Sequence, residues 1–127
     1  MKKRVPGISP AEWEVMRVVW AKAPITANEV VDELSGSTDW NDRTIRTMLG
    51  RLVTKGALTY RSKKNTYLYR PRVEPEECRK AESRSFLDRV FAGEAGPALI
   101  HFAKHADLSR TDVRELRRIL SKKEKKS

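Results

Sequence analysis

A chain of 127 residues with 39% apolar content, six Gly and six Pro folds as one domain or two small ones; its 27 Lys and Arg against 17 Asp and Glu leave a net charge of +10. Its longest apolar run, Val18–Ala21, falls far short of the ~20 residues of a membrane span, no apolar segment follows the signal-like Met1-Lys2-Lys3-Arg4 start, and a lone Cys78 excludes a disulfide framework or a Cys-rich zinc module. The expectation is a soluble, cytoplasmic protein without membrane insertion, metal or cofactor, and with an anionic partner.

Helix signals come first. Ser9-Pro10-Ala11-Glu12 reads as a capping box with proline in the first turn, and Trp13, Met16, Val19 and Trp20 then line one face of a helix that stops before Pro24. Thr26 and Glu29 form a second box, followed by Ala27, Val30, Val31 and Leu34 at helical spacing and a stop at Gly36. A third helix over 41–55 has Asn41 as its cap, Asp42 at its positive end and Gly56 as a left-handed stop. Ile45, Met48, Leu49, Leu52 and Val53 form its apolar stripe. Trp40, just ahead of it, anchors the helix start, and Trp13 and Trp20 read as core.

The other face of this third helix is where chemistry is concentrated. Arg43, Arg46, Thr47 and Gly50 fall on one side, flanked by Thr44 and Arg51. Leu58–Ser62 and Thr66–Arg70 read as two strands joined by a Lys63-Lys64-Asn65 turn. Across residues 43–72 there are nine basic side chains and no acidic one, whereas 5–42 carry two basic and seven acidic. Such a stretch is a polyanion footprint, because each neutralised phosphate releases a condensed counterion. A solvated, solubilising surface is the plainer alternative.

Two helices, a cationic third helix and a basic hairpin make a winged helix-turn-helix, in which the third helix enters the DNA major groove. Arginine donates twice to guanine and threonine meets a hydroxyl acceptor or a thymine methyl, so Arg43, Thr44, Arg46 and Thr47 are the candidate base readers. Arg51, Lys63, Lys64 and Asn65, with the start of the second helix at Thr26, are candidate phosphate contacts.

From Pro75 the character changes. One helix runs to Gly93 with Cys78, Ala81, Phe86, Leu87, Val90 and Phe91, a second spans Pro97–Lys104, and a third is capped by Ser109 and Asp112. The large apolar groups are too few for an independent core, which points to half of a core completed by a second chain. Phe86, Val90, Phe91, Leu99, Phe102, Leu116 and Leu120 are the candidate dimer contacts, and a two-fold dimer matches a palindromic operator. Lys122–Lys126 reads as a frayed, solvated tail. The fold class is therefore mainly α with a small β-hairpin wing: a winged helix-turn-helix over 1–73 and a three-helix dimerisation domain over 74–127.

I-S-P-A-E-W-E-V-M at 8–16, T-A-N-E-V at 26–30, R-T-I-R-T-M-L-G-R-L at 43–52, K-G-A-L at 55–58 and L-S-R-T-D-V-R-E-L at 108–116 together carry a resemblance. The chain resembles the penicillinase-repressor (BlaI/MecI-type) family of bacterial winged-helix repressors from Ile8 to Leu120. The resemblance implies a homodimer that represses an antibiotic-resistance-type operon through an inverted repeat of double-stranded DNA with TACA-like half-sites. It further implies relief by proteolysis in the dimerisation domain after a membrane sensor metalloprotease is activated. The corresponding region is A-L-I-H-F at 98–102, where the family's usual Asn-Phe bond is His101-Phe102. The copper-responsive branch of the family uses C-terminal cysteines, which this chain lacks.

Two other features carry less. His101 and His105 share the i, i+4 spacing of paired metal ligands but lack a convincing third ligand, and Cys78 reads as a small buried hydrophobe. No phosphate loop, nucleophile elbow or acid–base pair is present, so an enzyme is not expected. A sequence-specific repressor and a module for non-specific nucleic-acid or protein binding are the two classes left open.

Overall fold

The computed structural model describes residues 5–126, so the basic Met1–Arg4 start and Ser127 lie outside the described residues. Helices α1 (Pro10–Lys22), α2 (Ala27–Ser35) and α3 (Asp42–Lys55) form in the predicted order. Both capping boxes are made. The Ser9 hydroxyl accepts from the Glu12 N–H while Glu12 accepts from the Ser9 N–H at 2.9 Å, and Thr26 and Glu29 repeat the pattern. Asn41 caps α3 by accepting from the Thr44 N–H at 2.8 Å, and Gly56 ends it at φ +86°, where a side chain would be strained.

Strand β1 (Ile25–Thr26) was not foreseen, because two residues are too short to show a period. It pairs antiparallel with β3 (Thr66–Pro71), which also pairs with β2 (Leu58–Lys63), giving the order β1-β3-β2. The hairpin is one residue tighter than expected. Lys63 is the last residue of β2, opposite Thr66, so only Lys64 and Asn65 turn the chain, both left-handed at φ 50° and 64°. This sheet ties the start of α2 to the wing.

Val15, Met16 and Val19 of α1, Val30 and Leu34 of α2, and Ile45, Leu49 and Leu52 of α3 close on one apolar core. Trp13 and Trp20 are half-buried against it rather than inside it, and the Trp20 indole N–H donates to the Val73 carbonyl at 2.9 Å. Trp40 also packs on this core, beside the start of α3. Cys78 is buried in the same core, although it belongs to α4 (Pro75–Val90) and so to the segment beyond 73. The chain divides into two compact units after Arg84, inside α4, whereas the change of composition falls at 73–74.

In the second unit, α4 ends at Val90 rather than Gly93, and α5 spans Ala95–His105, longer at both ends than expected. Helix α6 (Arg110–Lys126) is capped by Ser109 and Asp112 as read. The Lys122–Lys126 segment is not frayed: it continues α6 as exposed helix, because nothing in its composition breaks the turn. Phe86, Phe91, His101 and Phe102 form a ring cluster, with Phe86 and Phe102 stacked at 5.9 Å. In this unit Val90, Leu99, Ile100, Phe102 and Leu120 are exposed, while Phe86, Phe91 and Leu116 are half-buried.

Candidate nucleic-acid interface

Burial of Ile45, Met48, Leu49 and Leu52 turns the remaining face of α3 outward. Arg43, Thr44, Arg46, Thr47, Gly50 and Arg51 are all exposed on it. Their side chains are not equally open. The Thr47 hydroxyl donates to the Arg43 carbonyl at 2.9 Å, which leaves its methyl and its oxygen lone pairs to face a partner. Arg46 is engaged twice: Nε donates to Asp42 Oδ1 at 2.6 Å and Nη2 donates to Asn28 Oδ1 in the first turn of α2. The i, i+4 spacing from Asp42 was a signal for the first bond, but only tertiary packing brings in Asn28.

Arg46 borders a cleft of about 430 Å³ between the start of α2 and the wing, lined by Thr26, Asn28, Ser62, Asn65, Tyr67 and Tyr69 among others. Tyr60, Tyr67 and Tyr69 share one face of the hairpin, and the Tyr60 and Tyr67 rings lie 4.3 Å apart. Burial pushes the Tyr69 hydroxyl above its ordinary pKa, neighbouring Tyr60 adds to this, and the positive charge of Arg46 opposes it. Tyr69 therefore stays a neutral hydroxyl beside Arg46.

The start of α2 offers less to an anion than expected. Thr26 donates its own N–H to the Glu29 carboxylate at 3.0 Å, and these bonds from the Thr26 backbone and side chain hold the Glu29 carboxyl below its usual range. Of the first four N–H groups, which have no helical partner, those of Thr26 and Glu29 are taken by the capping box. Lys63, Lys64 and Asn65 are exposed at the wing tip.

Elsewhere, His101 and His105 have ring centroids 4.7 Å apart and belong to no group of three or more ligating side chains among the described residues. The His101-Phe102 bond lies inside α5. No helix among the described residues is long and apolar enough to cross a membrane.

Residues 8–122, nearly the whole chain, match the penicillinase repressor family. The chain belongs to that family. Its members are transcriptional repressors and not enzymes. This penicillinase repressor family member is 38% identical to the penicillinase repressor of Bacillus licheniformis over 118 residues, covering 93% of this chain and 92% of that protein. It is 34% identical to the methicillin resistance regulatory protein MecI of Staphylococcus aureus over 123 residues, 97% of this chain and all of MecI. The solution structure of monomeric Bacillus licheniformis BlaI in complex with the blaP half-operator superposes with a TM-score of 0.53 at 42% identity, covering 60% of this chain and 93% of that one. Over that 60% of the chain the helices and small antiparallel sheet are thus similar to the DNA-binding domain of BlaI, which is itself matched with a TM-score of 0.54 at 42% identity.

Proposed function

We propose that this protein is a sequence-specific cytoplasmic repressor that binds, as a homodimer, an inverted-repeat operator of a β-lactamase-like resistance operon. The observation that carries this reading is the exposed, acid-free cationic surface made by α3 from Arg43 onward together with the wing. Its likeness to a repressor solved on a half-operator supports DNA as the anion. Arg43, Thr44, Arg46 and Thr47 read base edges, while Arg51, Lys63, Lys64 and Asn65 hold phosphates. Two copies join through the second unit, in which Leu99, Phe102 and Leu120 are exposed and Phe86 and Phe91 half-buried.

The test is a titration against the inverted repeat upstream of the protein's own gene, with a scrambled duplex as control, at two salt concentrations. The operator is preferred by ~10³-fold or more, at two chains per repeat. Arg46→Ala relaxes that preference by ~1–3 kcal/mol, whereas Lys64→Ala weakens both duplexes alike. Equal affinity for the two duplexes, erased by salt, moves the protein to the class of non-specific binders.

Relief follows cleavage at His101-Phe102 after a membrane sensor metalloprotease is activated. This bond sits in helical backbone between exposed side chains, so α5 must open locally before a protease can take it as an extended strand. Cutting there separates α6 from α4 and dismantles the dimer. Fragment masses after induction check the position: an intact chain in induced, derepressed cells overturns it.

A further inference from the structure

Arginine presents five N–H donors in a planar fork and keeps its charge at all working pH values. In Arg46 the Nε donor is given to Asp42, and one Nη2 donor to Asn28. The two anchoring groups come from different elements, the first turn of α3 and the first turn of α2, so together they fix both the position and the plane of the guanidinium. A surface ion pair this exposed, with 46% and 59% of the two side chains open to solvent, adds little to folding. Its consequence lies in what Arg46 can do when DNA arrives.

We propose that Asp42 and Asn28 are specificity-determining positioning residues: they hold Arg46 in one pose with its remaining donors directed outward, and Asp42 cancels the charge that would otherwise seek any phosphate. The inference rests on the DNA-binding reading and deepens it. A preorganised fork meets a base edge without losing side-chain freedom at the moment of binding, so its bonds add fully to operator affinity. An untethered arginine carries a net positive charge that every duplex attracts equally. Asp42 stands just ahead of the acid-free stretch that begins at Arg43, and its carboxylate is bonded to one of that stretch's arginines. The wing cleft completes the arrangement, since Tyr69 beside Arg46 is a neutral hydroxyl and not a competing anion.

The experiment compares operator and scrambled duplex affinities, over a salt series, for the full-length wild type, Asp42→Asn, Asn28→Ala, Arg46→Ala and the Asp42→Asn/Arg46→Ala double variant. Asp42→Asn leaves the Asn41 cap in place, and thermal unfolding verifies that each variant is folded. With Asp42→Asn, scrambled-duplex affinity rises, the salt slope steepens by about one unit, and the operator preference falls by about tenfold. Asn28→Ala lowers the preference without the change in slope. In the Arg46→Ala background, Asp42→Asn shifts both duplexes by the same factor and leaves the preference where Arg46→Ala put it. An unchanged preference in Asp42→Asn overturns the proposal, and so does an equal drop whether or not Arg46 is present. A wild type without operator preference overturns the DNA-reading assignment itself, which separates the two failures.

Discussion

Leu99→Glu yields a monomer that binds a half-site duplex as wild type does but loses ~10²–10⁴-fold in affinity for the full inverted repeat. The magnitude is that of the effective concentration one bound half-site confers on the other when two reading heads are joined. Leu99 is 56% exposed and stands with Ile100 and Phe102 on α5, while Leu120 of α6 is 54% exposed. That much large apolar surface on a 43-residue unit is unfavourable in water unless a second copy covers it. A glutamate in that cover is a buried charge without a partner, whereas in a lone chain it is merely solvated. The winged-helix core contains no part of α5, so its unfolding midpoint should not move. Sedimentation of the variant decides the matter: a Leu99→Glu protein that remains dimeric shows the contact lies elsewhere.

Glu12→Ala costs the winged helix about 2–3 kcal/mol, read as a fall of roughly 10–20 °C in its unfolding midpoint. Glu12 is only 3% exposed, yet every demand on it is met. Its carboxylate accepts from the Ser9 N–H and from Lys55 Nζ at 2.5 Å, and Lys55 also donates to the Gly7 carbonyl. One side chain thereby closes the capping box of α1, neutralises the last turn of α3 and pins the segment before α1. Removing it leaves Lys55 without its anion and Ser9 without its acceptor. Lys55 is 36% exposed and regains water, which keeps the loss below the roughly 3–5 kcal/mol that breaking a fully buried pair produces.

The same carboxylate sets an acid limb. Burial opposes its ionisation, but the Lys55 hydrogen bond, the Ser9 backbone bond and the Lys55 charge outweigh it, so Glu12 titrates below its ordinary value of 4.5. The unfolded chain then binds the proton first. This contribution is complete above about pH 4.5 and is lost as pH falls through the lower folded value. Glu12→Gln keeps a bond to the Ser9 N–H without the charge, so it is milder than Glu12→Ala and flattens the decline in stability below pH 4.5. A decline of unchanged steepness in Glu12→Gln assigns the acid sensitivity to other carboxylates.

Much of the reading head was written locally. Ser9 with Glu12, Thr26 with Glu29, Asn41 and Gly56 act within a turn of their own position, so their caps could be read from spacing alone. The apolar stripe of α3 also determined, without any structure, which face would carry Arg43, Arg46 and Thr47 outward. The family resemblance carried by the motifs between 8 and 116 was legible for the same reason, since each motif is a short contiguous run.

What escaped depends on contacts between residues far apart in the chain. Ile25 and Thr26 become a strand only because β3 returns 42 or more residues later to pair with them. Asn28 meets Arg46 across 18 residues, and Lys55 meets Glu12 across 43. No periodicity encodes such meetings. Local propensity and capping determined the elements and their exposed faces; the closing of the common core decided which of those exposed charges are held, and by whom, because only packing sets the distances over which hydrogen bonds form.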